Sequence, residues 1–338
     1  MNLRKRIPSI VVIVAWVALT IAELATPNLR AAEPFSIVVL PDTQCYCDTR
    51  VKYSANRWKI GDLRQYFHKQ TEWARDNKER LNISFLVHEG DIVQTDYPEE
   101  WEIARSAMSK LDGVVPYCLC LGNHDMGFKK TDKNQYSYTT AVNRQTLFNK
   151  YFPREKYAGT PEFGGTFDQS HDNSWYQFER AGLKVMVVSL EFKPRDKILE
   201  WAGKVVAEHP DHRVIVLTHS YLDAQNKRTR TGYTVKGNLG EQIWEKFVRK
   251  HENIFMVLCG HVIGEGRLTS VGDHGNEVHQ LLCDYQGMNN GGESWLRYMM
   301  FHPDKNKIEV FTYNPDKDKF RDVPSSRFDL KYEMTKKR

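Results

Sequence analysis

The sequence predicts an α/β fold: a mostly parallel sheet covered on both sides, followed by a second, more antiparallel sheet. Three observations carry this. Short apolar runs of strand length alternate with stretches of helical spacing. The later runs follow one another with fewer helices between them. Polar residues able to bind ligands recur where the runs stop, which is where an open α/β sheet gathers its ligands.

Phe35–Leu40 reads as the first buried strand. Leu63, Tyr66, Phe67, Trp73 and Ala74 then fall near helical spacing. Ile83–His88 is a second strand, Pro98–Leu111 a helix and Tyr117–Leu121 a third strand. Residues 125–175, rich in Gly, Asn, Tyr and Thr, read as an elaborated loop. Further strands are expected at Leu183–Leu190, Arg213–Thr218, Ile254–Cys259, Val278–Cys283, Tyr298–Phe301 and Ile308–Tyr313. Helices over Lys197–Glu208 and Gln242–His251 separate some of them.

Charge and composition exclude some classes. The net charge is +5, of which Arg4, Lys5, Arg6 and Arg30 against Glu23 contribute +3 in residues 1–31, leaving +2 for the remainder. A dedicated nucleic-acid surface would concentrate basic residues in a stripe, and none is present. Arg4, Lys5 and Arg6 precede an uncharged apolar run, Ile10 to Ala22, and small residues at Ala25, Ala31 and Ala32. This is the pattern of an export signal, and the run is shorter than the roughly 20 residues a membrane span needs. We therefore expect residues 1–31 to be a signal peptide, 32–338 to be the mature domain, and the protein to be periplasmic or secreted. No membrane span is expected after signal removal. The six cysteines, all beyond this segment, follow neither a small disulfide scaffold nor a zinc ribbon, and read as buried free thiols.

The chemistry lies at the strand ends. The first strand runs into Asp42-Thr43-Gln44, the second into Gly90-Asp91, the third into Gly122-Asn123-His124-Asp125. Later strands end at His219 and at Gly260-His261. Singly these are weak, because Gly-Asp after a strand is commonly a turn and a lone His is commonly structural. Together they bring carboxylates, an amide and imidazoles to one rim, a donor set without thiolates that suits Mn, Fe or Zn.

This ordered series resembles the calcineurin-like metallophosphoesterase superfamily over about Phe35 to Tyr313. The resemblance implies a four-layer α/β/β/α sandwich of two mixed sheets with a two-metal site between them. Asp91 would bridge the metals, with Asn123, His219 and His261 completing the second site and Asp42 and Gln44 belonging to the first. His124 would face the substrate, held by Asp125. The implied activity is hydrolysis of phosphate mono- or diesters, small or macromolecular. Two cations about 4 Å apart clamp a phosphate and activate a water for in-line attack. The alternative is a catalytically weak metal-binding module that recognises phosphorylated ligands. A third reading, a structural exported domain with a decayed site, is suggested by two departures: Gln44 stands where the family usually has His, and Ile263 where it often has a second His. The first site is therefore expected to be the weaker, with Gln94 a substitute ligand. His88, Asp284 and Gln286 are further candidates at the rim, and Arg195, Arg228, Arg230 and Arg267 candidate phosphate contacts.

Overall fold

The computed structural model describes residues 32–49, 62–127, 140–230 and 232–334. The expected signal segment, 1–31, lies outside them.

Chain order places β1 (Phe35–Leu40), α1 (Gln44–Cys47), α2 (Arg64–Asp76), β2 (Ile83–His88), α3 (Pro98–Met108) and β3 (Tyr117–Leu119) first. Then come α4 (Phe148–Tyr151), α5 (Arg154–Tyr157), β4 (Phe163–Thr166), β5 (Ser174–Arg180), β6 (Leu183–Leu190), α6 (Asp196–Glu208) and β7 (Arg213–Thr218). The last part holds α7 (Gly240–Lys246), β8 (Ile254–Cys259), β9 (Gly264–Val271), β10 (Glu277–Asp284), β11 (Leu296–His302), β12 (Lys307–Asn314), β13 (Lys319–Phe320) and β14 (Phe328–Lys331).

These strands make two seven-stranded mixed sheets. One runs β13-β12-β11-β1-β2-β3, with β14 paired to β12; the other runs β4-β5-β6-β7-β8-β10-β9. Two mixed sheets are what the resemblance implied, while the expected contrast between a mostly parallel and a more antiparallel sheet is not found. The first sheet has a parallel run, β1-β2-β3, at one end with antiparallel strands beyond β1; the second has a parallel centre, β6-β7-β8-β10, flanked by antiparallel β5 and β9. The late strands divide between the two sheets, so the scarcity of late helices reflects antiparallel edges on both.

Alternation along the strands explains the layers. In β6 and β7, Val185, Val187, Ile215 and Leu217 join the core between the sheets, while Met186, Val188, Val214 and Val216 pack outward. The outward set is covered by Ile198, Leu199, Ala202, Val205 and Val206 of α6, spaced for one helical face, and by Ile243 and Trp244 of α7. Across the gap, Phe85 stacks on Phe178 at 5.5 Å, and Phe35 meets the same ring edge-on at 6.3 Å. α3 begins with Pro98 and has Glu99 and Glu100 in its first turn and Arg105 in its last, the order the helix dipole favours.

The 125–175 segment is less irregular than expected, since α4, α5, β4 and the start of β5 occupy its second half. All six cysteines carry free thiols, and Cys45 and Cys47 lie on α1. No helix among the described residues is long and apolar enough to cross a membrane.

Candidate metal centre

Parallel registers decide which residues meet. Leu40 pairs with His88 and His88 with Leu119 in one sheet; Leu217 pairs with Leu258 and Cys259 with Leu282 in the other. The residues just beyond these pairs therefore share one rim. Asp42, Asp91, Asn123 and His219 are all buried there, and His261 is half-buried.

One ligating atom from each of Asp91, His219 and His261 lies within 4.8 Å of the others. His219 Nε2 stands 3.2 Å from Asp91 Oδ1 and 3.2 Å from Asn123 Oδ1. Its Nδ1 lies 2.8 Å from the Glu89 carbonyl oxygen, a bond in which only Nδ1–H can donate. That bond fixes the tautomer and turns the Nε2 lone pair toward Asp91 and Asn123, the usual arrangement behind a metal-bound imidazole.

Close backbone contacts hold the two carboxylates. A Cβ on Gly122 would lie 2.1 Å from Asp91 Oδ1, and one on Gly260 would lie 2.1 Å from Asp42 Oδ1. Both positions need glycine because a carboxylate occupies the space. Asp91 and His261 are themselves left-handed, at φ +48° and +73°, conformations of the kind that cost about 1–3 kcal/mol and cluster at functional sites.

The electrostatics suit cations. Burial pushes Asp42 well above the usual carboxylate range, with Asp284, Asp91 and Glu89 adding repulsion. Burial raises Asp284 to about 6 against the bonds from Gln286. Asp91 is also buried, but the charges of His219, His124 and His261 outweigh that and hold it low. Burial and the neighbouring His219 push His261 down to about 3, leaving it a neutral donor. Asp42, Asp284 and Asp91 crowd buried carboxylates at one rim, a costly arrangement unless positive charge enters, so the residues fit a cation-binding role.

His124 points its Nδ1 at the Gln94 carbonyl, 2.8 Å away, and its amide N–H donates to Asp91 Oδ1 at 2.9 Å. The expected pairing with Asp125 is corrected here. Asp125 accepts instead from the Val93 and Gly122 amides, at 3.0 and 2.7 Å, and so shapes the turn that carries Asn123 and His124. Gln94, considered as a ligand, serves His124 through its carbonyl. His88 is structural: Thr43 Oγ1 lies 2.9 Å from its Nε2, and its Nδ1 accepts from the Gly90 amide at 3.2 Å.

None of the four arginines considered for phosphate takes part in these contacts. Arg195 is spent on Glu191, Arg228 stacks over Trp244 at 3.9 Å, Arg230 is exposed beside Glu241, and Arg267 lies over Phe328. Cavities of about 960 and 1170 Å³ open near the amino ends of the strands, around Ile83 and Tyr117 and around Arg213 and Ile254, and none of these site residues lines them.

Sequence reasoning missed Phe192 and Tyr233. Phe192 lies against both His219 and His261, at 5.8 and 5.7 Å, and the Tyr233 ring lies 5.5 Å from His261. A signal existed for Phe192, since it follows the carboxyl end of β6.

Comparison with known proteins agrees. The model of the family described as calcineurin-like phosphoesterase matches residues 36–264, more than half of the chain. The chain belongs to the calcineurin-like phosphoesterases. The family is dimetal-dependent, and Asp91, His219 and His261 form a candidate group for one ion. The chain is 30% identical over 293 residues to YvnB of Bacillus subtilis (strain 168), an uncharacterised protein. The match covers 84% of this chain but 20% of that relative, so the chain spans about a fifth of its length. Among solved structures, purple acid phosphatase PPD1 from yellow lupin (Lupinus luteus) seeds superposes with a TM-score of 0.54 at 12% identity, over 89% of this chain and 54% of that one. A dimetal phosphatase from Danio rerio gives 0.52 at 12% identity, over 89% and 100%. At these identities the structures speak for the fold alone.

Proposed function

We propose that the chain is an exported hydrolase of phosphate mono- or diesters working through a two-cation centre. The observation that carries this is the convergence of Asp91, His219 and His261 within ligand distance of one another beside the anchored His124.

Asp91, Asn123, His219 and His261 would hold one cation, and Asp42 with the shared Asp91 would help hold another. The cations would supply charge to clamp the phosphate and an activated water for in-line attack. The chain's own residues do the rest. Glu89 and Asp125 hold the His219 ring and the Asn123 turn in place through backbone and amide hydrogen bonds. With Nδ1–H anchored on the Gln94 carbonyl, a protonated His124 has Nε2–H free to donate to the leaving oxygen. That anchored donor favours the hydrolase over a binding module, because binding alone needs none.

Hydrolysis of an aryl phosphate and an aryl phosphodiester by the purified protein tests the reading. Extended chelation should abolish turnover and Mn²⁺ should restore it; full activity in stably metal-free protein would overturn it. Export rests on the Arg4–Arg6 charge and the Ile10–Ala22 run. Amino-terminal sequencing of the mature protein should begin near residues 26–33, and a full-length cytoplasmic product would contradict export.

A further inference from the structure

The first-metal side of the rim lacks both imidazoles that the resemblance leads one to expect. Gln44 occupies one position. Ile263 occupies the other, is 51% exposed, and leans over Gly287, where a Cβ would meet its Cγ2 at 2.4 Å.

The neighbouring strand fills the gap. β10 runs parallel to β8 with Leu282 opposite Cys259. Two residues on, β10 ends at Asp284, while the chain leaving β8 has reached His261. Asp284 is 1% exposed and Asp42 1% exposed. One side chain ties them together: Gln286 Nε2 donates to Asp284 Oδ2 at 2.9 Å and to Asp42 Oδ2 at 3.3 Å, while the Gln286 amide N–H donates to Asp284 Oδ1 at 2.8 Å. An N–H₂ group thus bridges the two buried carboxylates, and a cation bound between them would displace it. Gln44 belongs to the same cluster, since its Nε2 donates to Gln286 Oε1. Its own Oε1 is buried without a hydrogen-bond partner, in a residue only 5% exposed. A buried amide oxygen with both lone pairs unused is destabilising unless a donor or a cation takes it up.

We propose that Asp284 replaces the missing imidazole, so that Asp42, Asp284, the shared Asp91 and the amide oxygen of Gln44 form an all-oxygen cation site. This rests on the two-cation reading above and deepens it. Oxygen donors of this kind suit hard cations such as Mn²⁺ or Mg²⁺, whereas the partner site carries two imidazoles. The two halves of the centre therefore differ in chemistry as well as in strength.

Titration of the metal-free protein with Mn²⁺ by calorimetry, with metal counted after gel filtration, tests this. Wild type should bind two equivalents of unequal affinity. Asp284→Asn keeps the shape and one acceptor for Gln286, and removes the charge and the second acceptor. It should retain the tight equivalent and weaken the other by at least the 10- to 100-fold typical of losing even a supporting partner. Should Asp284→Asn fold poorly, Gln44→His tests the same site independently, and should tighten only the weaker equivalent. Two equivalents bound by Asp284→Asn within threefold of wild type, a single equivalent in wild type, or unchanged affinities in Gln44→His would overturn the proposal. Aryl phosphate hydrolysis measured alongside separates the two failures. Mn²⁺-dependent turnover with an indifferent Asp284→Asn defeats this site alone, whereas two bound equivalents without turnover defeat the hydrolase reading.

Discussion

Gly122→Ala adds one methyl group and tests whether Asp91 must sit where it does. The new Cβ would lie 2.1 Å from Asp91 Oδ1, 2.2 Å from Asp91 N and 2.8 Å from its Cγ. A side-chain rotation moves Oδ1 but not the backbone nitrogen, so the Asp91 segment itself must retreat. Bringing that nitrogen from 2.2 Å to even 3.0 Å, a separation real Cβ atoms essentially never undercut, requires about 0.8 Å of movement. That movement loosens the 2.9 Å bond from the His124 amide and the 3.2 Å approach of His219. A misplacement of about 1 Å costs on the order of 10²-fold in rate, and overpacking costs roughly 1–3 kcal/mol of stability. Turnover of an aryl phosphate at saturating Mn²⁺ should therefore fall about 100-fold, with weaker Mn²⁺ binding and a folded circular dichroism spectrum. Gly159→Ala is the control, since its Cβ meets nothing within 4 Å. Turnover and Mn²⁺ affinity within threefold of wild type in Gly122→Ala would refute the placement of Asp91 at the centre of the chemistry.

His124→Ala should lower turnover by about 10²- to 10⁴-fold, the usual worth of a general acid. Metal content should stay intact, because the ring is tied to Gln94; loss of metal would show it to be a ligand. In chelator, the protein should melt at progressively lower temperature as pH rises from about 6.5 to 8. Burial raises Asp125 to about 8 and Glu100 to about 7, and Asp42 lies well above its usual range. These groups keep protons in the folded state that the unfolded chain has lost by about pH 5, so stability drops as those protons leave. His219, raised by Asp91 against the effect of burial, acts in the same direction. His88 and His261, both pushed down to about 3 by burial, act oppositely, but only below the ordinary imidazole value of about 6.5. Calorimetric melting that is flat or rises through that window would contradict this assignment.

Most of the site was legible because its residues are local signals: each follows an apolar run, and a parallel strand delivers its next few residues to a predictable edge. β1, β2, β6, β7 and β8 match their expected bounds for the same reason. β9 was invisible because Gly264–Val271 alternates half-buried with exposed positions at a sheet edge, which leaves no apolar run to detect. The role of Asp125 misled because sequence adjacency to His124 suggested contact, whereas the tight turn sends the two side chains apart. Asp284 was ambiguous for another reason. Its partners, Asp42 and Gln44, lie more than 200 residues away beyond a strand of the other sheet, and only the packing of the two sheets brings them together through Gln286.

The centre lies on the seam between the sheets, and that has an energetic consequence. Asp42, Asp91 and Asn123 follow strands of one sheet; His219, His261 and Asp284 follow or end strands of the other. The protein's own bonds across the seam at this rim include His219 Nδ1–H to the Glu89 carbonyl and the His261 amide to Asp42. A cation held from both sides is a cross-link, so its binding energy is also folding energy. At Mn²⁺ a hundredfold above its dissociation constant the gain is about 2.7 kcal/mol. A domain of roughly this size melts about 2–4 °C higher per kcal/mol, which gives a rise of about 5–10 °C. Because both sheets share the bound ion, the whole transition should move as one. A melting temperature indifferent to Mn²⁺ in protein that still requires Mn²⁺ for hydrolysis would mean that the ion does not bridge the two sheets.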